Sequence, residues 1–343
     1  MIARRPSGGD VRGATPAHPL LFPVGHQDAS LSQSPQQQLL DQRYIQRMFA
    51  AGALGGLWLP EPQYLYEDSA GTLAASKEGV CGLWLDCSRD LVLGSELVSN
   101  SGGPFVGVDN WTASSYQGAT ASLSIVSGYL RVTGNAVTTG NSYGSFILNT
   151  VPGTWYKVYV SGITGSHSTF IRVTNSGTTT ALVERGGGAT ISIIFYATGT
   201  AHAIHFNVGA NVVNGWAQIS SATVQAFYGT HALQATLANK PTLRRTPVSG
   251  KYWLDSNNIN ATGAMTATFP SSLGSACTVA RANADGVTII PNQTITTTYN
   301  LTPPYAYNSA VMVINRALTA SETAVVSRYL RGWTPIYANG VTL

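Results

Sequence analysis

Trp155-Tyr156-Lys157-Val158-Tyr159-Val160-Ser161 sends its side chains alternately to two sides of an extended chain. Tyr156, Val158 and Val160 fall on one side, and Trp155, Lys157 and Tyr159 on the other. A period of two over seven residues marks a strand half-buried in a sheet. The first set reads as core and the second as a surface platform. Further runs of this kind at 121–125, 129–132, 143–150, 155–160, 170–174, 190–197, 203–208 and 217–227 are separated by turn-forming clusters. Eight such strands predict a jelly roll over residues 95–228. Only seven charged residues fall in this stretch (Glu96, Asp109, Arg131, Lys157, Arg172, Glu184 and Arg185). Gly186-Gly187-Gly188 lacks the strand-to-helix context of a phosphate loop and reads as a hairpin tip.

The scarcity of charge extends to the whole chain. Of 343 residues, 10% are charged, against about 25% in ordinary soluble domains, while the hydrophobic share of 44% is normal. An ordinary core under a neutral, Ser/Thr-rich surface argues against a metabolic enzyme. The net charge of +4 is spread thinly, with no cationic run longer than Arg4-Arg5 or Arg244-Arg245, so nucleic-acid binding is not expected. Three cysteines (Cys81, Cys87 and Cys277) are too few for a disulfide framework or a four-ligand zinc site, and read as buried free thiols. The opening residues show no apolar run, so neither a signal peptide nor membrane insertion is expected.

Upstream, residues 1–33 are rich in Pro, Gly, Ser and Gln and read as an extended arm. Ser34, Pro35 and Gln37 then form a helix start, predicting a helix over 35–51. Leu40, Tyr44, Ile45, Met48 and Phe49 share one arc of that helix, an apolar stripe suited to packing on its own domain or to docking on another subunit. Gly56-Leu57-Trp58-Leu59 recurs as Gly82-Leu83-Trp84-Leu85, and both copies read as short buried strands. Downstream, short strands are expected near 252–255, 264–269, 278–280, 288–290, 295–298 and 310–314. Thr319 with Glu322 opens a closing helix that Gly332 ends.

The chain offers little for catalysis. Glu96, Asp109 and Glu184 are the only carboxylates of the jelly roll, and no acid/base pair emerges. His202 and His205 fall on opposite faces of a strand and cannot share a metal. No enzyme, cofactor or metal site is expected. What remains is the surface set obtained by extending the alternation: Trp155, Lys157, Tyr159, Arg172, Tyr196, His205, Asn207, Trp216 and Gln218. Aromatic planes flanked by hydrogen-bonding groups suit sugar rings. The same residues also suit packing against a second sheet or a neighbouring subunit.

Tyr66-Glu67-Asp68-Ser69-Ala70-Gly71-Thr72, Gly82-Leu83-Trp84-Leu85-Asp86, Glu96-Leu97-Val98-Ser99-Asn100, Lys240-Pro241-Thr242-Leu243-Arg244-Arg245 and Ile314-Asn315-Arg316-Ala317-Leu318-Thr319 resemble stretches of tailed-bacteriophage virion proteins of the tail-fibre, head-fibre and minor structural class. The resemblance implies a mainly β chain of antiparallel sandwiches. Residues 57–94 plus 229–343 would form a concanavalin/laminin-G-like domain, 95–228 an inserted carbohydrate-binding-module-like jelly roll, and 1–56 an arm and helix for virion attachment. It further implies a structural role in the virion, most readily as a tail fibre. Other virion proteins (tail, connector or adaptor) are the implied partners, a homotrimer the implied assembly, and a host surface glycan the alternative target.

Overall fold

A computed structural model describes residues 34–334 apart from positions 72, 90, 92, 99–102, 136–139, 168, 179, 209–211, 247–249, 257–264, 284 and 303–306. The expected arm over 1–33 lies outside the described residues. The described chain is mainly β, with several antiparallel sheets, one helix near the start and one near the end.

Strands between 93 and 227 pair only with one another. A five-stranded front sheet runs in the order Ala181–Gly186, Thr169–Asn175, Ala201–Val208, Asn141–Asn149, Trp111–Tyr116. Opposite it stand Thr190–Tyr196, Trp155–Ser161, Ser221–Phe227 and Leu93–Glu96 as a back sheet. A side sheet of Thr164–Gly165, Gly215–Ile219, Tyr129–Asn135 and Thr120–Val126 continues that second layer. Core side chains from all three sheets meet in one cluster that includes Leu130, Phe146, Val158, Ile171, Ile193, Phe206 and Val224. Alternation therefore places Tyr156, Val158 and Val160 inside, as read from the sequence.

Three features of the sandwich depart from the sequence reading. The run 217–227 is two strands, because the chain bends at Ser220 and passes from the side sheet to the back sheet. Its partner bends at the same level, where Ser161 Oγ bonds both Ser220 Oγ (3.2 Å) and Ser221 Oγ (2.7 Å). The two edge strands of the front sheet, Trp111–Tyr116 and Ala181–Gly186, were not anticipated; edge strands bury few side chains and so alternate weakly. Gly187 and Gly188, at φ +80° and +95°, are no hairpin tip but carry the chain from the front sheet to the back sheet.

Strands before 85 pair with strands after 231. Gly55–Trp58 lies against Ala310–Ile314, which lies against Gly274–Asn283 and then Gly286–Ile295. Leu83–Trp84 pairs with Leu65–Tyr66 and Ala232–Leu233. Both tryptophans of the repeated motif, Trp58 and Trp84, are fully buried, and each indole N–H donates to a carbonyl (Thr230 at 3.0 Å, Leu59 at 2.8 Å). The three cysteines are buried free thiols.

Helix α1 spans Pro35–Ala50 and α2 spans Ala320–Arg331. Ser34 Oγ accepts from Gln37 N–H at 3.2 Å, whereas the Gln37 side chain turns to Asp41 (2.9 Å) and leaves the box unclosed. Thr319 and Glu322 close theirs. Ile45, Met48 and Phe49 are buried against Met312, Ile314, Val326, Tyr329 and Leu330 of the same chain. Buried Asp41 takes two bonds from Arg328 (2.8 and 2.7 Å), pinning α1 to α2. Of the two readings of the stripe, Ile45, Met48 and Phe49 thus follow packing on the chain's own domain, which corrects their assignment to an interface with another subunit. Only Leu40 and Tyr44 of the five are exposed, together with Leu39.

Candidate functional site

The nine surface positions picked from the sequence fall on three sheets. Trp155 and Tyr196 sit at the covered end of the back sheet, where Trp155, Ile194 and Phe227 pack against Leu83 and Leu85 of the flanking unit. Trp155 is 4% exposed, its ring 5.2 Å from that of Tyr196 and 5.3 Å from that of His231. Ile194 N–H also donates to Ala70 O at 2.8 Å. Trp155 is therefore a packing residue between the two β units, which corrects its reading as a platform. Lys157 and Tyr159 continue along that face, and Tyr159 is exposed at its open end.

Trp216 and Gln218 lie on the side sheet. The Arg131 guanidinium sits 4.3 Å above the Trp216 ring and donates to Gln218 Oε1 through Nε (2.9 Å) and Nη2 (2.6 Å). The indole face is thus occupied by the chain's own cation.

Arg172, His205 and Asn207 meet on the outward face of the front sheet. Cross-strand register aligns Thr112, Ser145, His205, Arg172 and Glu184 in one row across all five strands. The next row reads Ser114, Tyr143, Asn207, Phe170 and Gly186. Side chains in such rows are neighbours. Tyr143, Ser145 and Asn207 are buried although they point away from the core, while Thr112, Ile147, Leu182 and Glu184 are exposed. The middle of the face is recessed and its margin open.

Each group in the recess is held. His205 bonds Ser145 Oγ through Nδ1 (2.6 Å) and Thr174 Oγ1 through Nε2 (3.1 Å). Burial and the neighbouring Arg172 cation push its pKa down to about 4, so the imidazole is neutral at pH 7. Its ring lies 5.3 Å from that of Tyr143, tilted by 54°. Arg172 forms an ion pair with Glu184. Asn207 Oδ1 accepts from Phe170 N–H at 2.9 Å. Gly186 faces Phe170 across the strands, and a Cβ there would lie 2.5 Å from the Phe170 ring. Only glycine lets that ring lie down on the strand.

Sequence reading missed Tyr143, Phe170, Ser145 and Glu184 as members of this face. Tyr143 and Ser145 belong to a run whose alternation was visible, but only the register with 201–208 brings them beside His205. Glu184 was weighed as an acid and is instead the partner of Arg172. Glu96 is likewise structural: its Oε1 accepts from the N–H groups of Leu97 (3.0 Å), Val98 (2.9 Å) and Val224 (2.6 Å).

One further acid and histidine lie close together. Asp86 Oδ1 accepts from Leu57 N–H (2.9 Å) and Ser88 N–H (2.8 Å), and Oδ2 from Thr230 N–H (2.8 Å). It is the Asp86 backbone N–H that donates to His231 Nδ1 (2.9 Å). Both side chains are fully buried, and burial holds His231 down to about 3. With no carboxylate-imidazole bond and no solvent access, this pair ties segments together. Among the described residues no three His, Cys, Asp or Glu side chains are placed to share a metal ion, and no helix is long and apolar enough to cross a membrane.

No protein-family model and no curated protein matches the sequence. Among solved structures the chain is similar to an enzymatically active domain of tailspike protein 4 of bacteriophage CBA120, at 17% identity and a TM-score of 0.27 over 38% of this chain and 21% of that one. It is similar to a family 11 carbohydrate-binding module from Clostridium thermocellum, in complex with a β-1,3-1,4-mixed-linked tetrasaccharide, at 16% identity and a TM-score of 0.27 over 38% of this chain and 96% of that one. A Stig cyclase from Fischerella is similar at 12% identity and a TM-score of 0.29, over 40% of this chain and all of the cyclase. This chain matches only about a fifth of the length of the tailspike domain.

Proposed function

We propose that this protein is a non-enzymatic component of a phage virion whose front sheet holds a neutral surface polysaccharide. The carrying observation is the row Ser145-His205-Arg172-Glu184, which runs from the recess to its exposed margin, beside Tyr143 and Phe170. Arg172 and Glu184 set donors and acceptors side by side, the arrangement that adjacent hydroxyls of a sugar ring can bridge. The half-buried Phe170 ring supplies apolar surface for its C–H face. The paired charges and neutral His205 leave the recess without net charge, which favours a neutral glycan over an acidic one. A strand-parallel face open at its margin accommodates a chain of sugars rather than a single enclosed ring. The virion setting rests on the resemblance of the motifs between residues 66 and 319 to phage structural proteins.

The test is a glycan array probed with the full chain, with the strongest hit carried into calorimetry. Arg172→Ala and His205→Ala are expected to lower affinity at least about tenfold, a loss of about 1.4 kcal/mol. The hit is expected to be recovered with no new reducing ends. Unchanged affinity in the double variant, or cleavage of the hit, overturns the reading.

A further inference from the structure

A second site lies at the C-terminal half of α1. A cleft of about 620 Å³ is lined by Arg43, Arg47 and Arg89, with Phe49, Ala50 and Tyr228 among its apolar walls. Arg43 and Arg47 are one helical turn apart on the same face of α1, and Gln46 Nε2 reaches Cys87 O at 3.5 Å, setting the helix beside the turn that carries Arg89. All three arginines are exposed, and no described carboxylate pairs with any of them. Four other arginines do have carboxylate partners: Arg172 has Glu184, Arg244 has Glu78 and Asp255, Arg316 has Glu322, and Arg328 has Asp41. Arg43 and Arg47, like charges one helical turn apart, repel each other. The macrodipole of α1 accounts for a cation at Arg47 in its last turn but not for Arg43 or Arg89.

We infer that this cleft binds an acidic, partly apolar peptide segment of a partner protein. Carboxylates of the segment pair with the three guanidiniums, whose planar forks match carboxylates two bonds at a time. An apolar side chain of the segment packs on Ala50 and the exposed Tyr228 ring. The floor selects a peptide over a bare polyanion, which offers nothing to bury. This cationic site and the electrically balanced front sheet thus take ligands of different chemistry.

Fluorescence anisotropy of a labelled Glu-Leu-Glu-Glu-Phe-Glu-Leu-Glu peptide against the full chain tests the assignment. The peptide is expected to bind, more weakly as salt rises, and its Gln-for-Glu analogue is not. Arg43→Glu with Arg89→Glu is expected to weaken binding at least about tenfold at an unchanged melting temperature, with Arg43→Gln/Arg89→Gln weakening it less. Lys77→Glu, a charge reversal at an exposed position outside the cleft, is expected to bind as the parent does. Absence of peptide binding overturns the inference. So does equal binding by the reversed variant or by the Gln analogue, or tighter binding of a sulfated oligosaccharide at the same arginines.

Discussion

On the back sheet Trp155, Ile194 and Phe227 alternate with core residues as regularly as Tyr143, His205 and Arg172 do on the front sheet. The first set lies under Leu83 and Leu85 of the flanking unit, while the second is recessed beside an open margin. Both faces combine aromatic rings with polar neighbours. The difference lies in what covers them. Alternation says which side chains leave the core of a sandwich, and nothing in the local sequence says whether the chain itself returns to bury them. An aromatic on an outward face can thus be part of a second core, as Trp155 is, or part of a binding surface, as the half-buried Phe170 is proposed to be.

The sharpest way to break this contrast is Trp155→Ala. Removing a large buried ring is expected to destabilise the protein by about 3–5 kcal/mol, read from denaturant unfolding. A loss under about 1 kcal/mol would mean that the interface is loose and the two faces are alike.

A pH titration of stability tests the same junction. His231 sits between Trp155 and Phe227, with ring centroids 5.3 and 4.6 Å away. Its folded pKa of about 3 lies below the ordinary value of 6.5, so the unfolded chain binds the proton first. Its contribution is fully present above about pH 6.5 and is lost as pH falls towards 3, a change on the order of 5 kcal/mol. His231→Asn is expected to flatten the slope in that window. Asp86, whose pKa burial raises, shifts in the opposite sense and is present in both proteins, so the difference between the two curves isolates the histidine.

On the front face the expected signature is reversed, with binding lost and stability kept. Arg172→Ala removes one member of a partly exposed ion pair, which costs at most about 1 kcal/mol of stability while weakening glycan binding at least about tenfold. Binding is expected to hold steady from neutral pH down to about 5 and to fall as pH approaches 4, where His205 takes a proton beside Arg172. Gly186→Ala forces the Phe170 ring off the strand and is expected to weaken binding several-fold. The smallest effect is assigned to Trp216→Ala: loss of the Arg131 contact, about 0.5–1 kcal/mol, and unchanged glycan affinity.

Much of the architecture was legible because it rests on local rules. The 3.6-residue period and the caps at Ser34 and Thr319 placed both helices within a residue, and strict alternation placed the central strands of the sandwich. The rest depends on contacts distant in sequence. The bend at Ser220 coincides with the meeting of Ser161 and Ser221, and the burial of Ile45, Met48 and Phe49 depends on Met312 and Leu330, more than 260 residues away. The same reason divided the candidate site. Arg172, His205 and Asn207 were recognised as outward-facing, but the row that joins them to Ser145, Tyr143 and Glu184 is set by register between strands. Trp155 and Trp216 were chosen for their chemistry, and each already has a partner within the chain.

The most direct test of the account is an NMR titration of the isotopically labelled full chain with the oligosaccharide selected on the array. Shift changes are expected to concentrate at Tyr143, Phe170, Arg172, Glu184 and His205, with Trp155 and Trp216 unmoved. Changes centred on Lys157, Tyr159 or Trp216 instead would contradict it and assign the binding surface to the other layer of the sandwich.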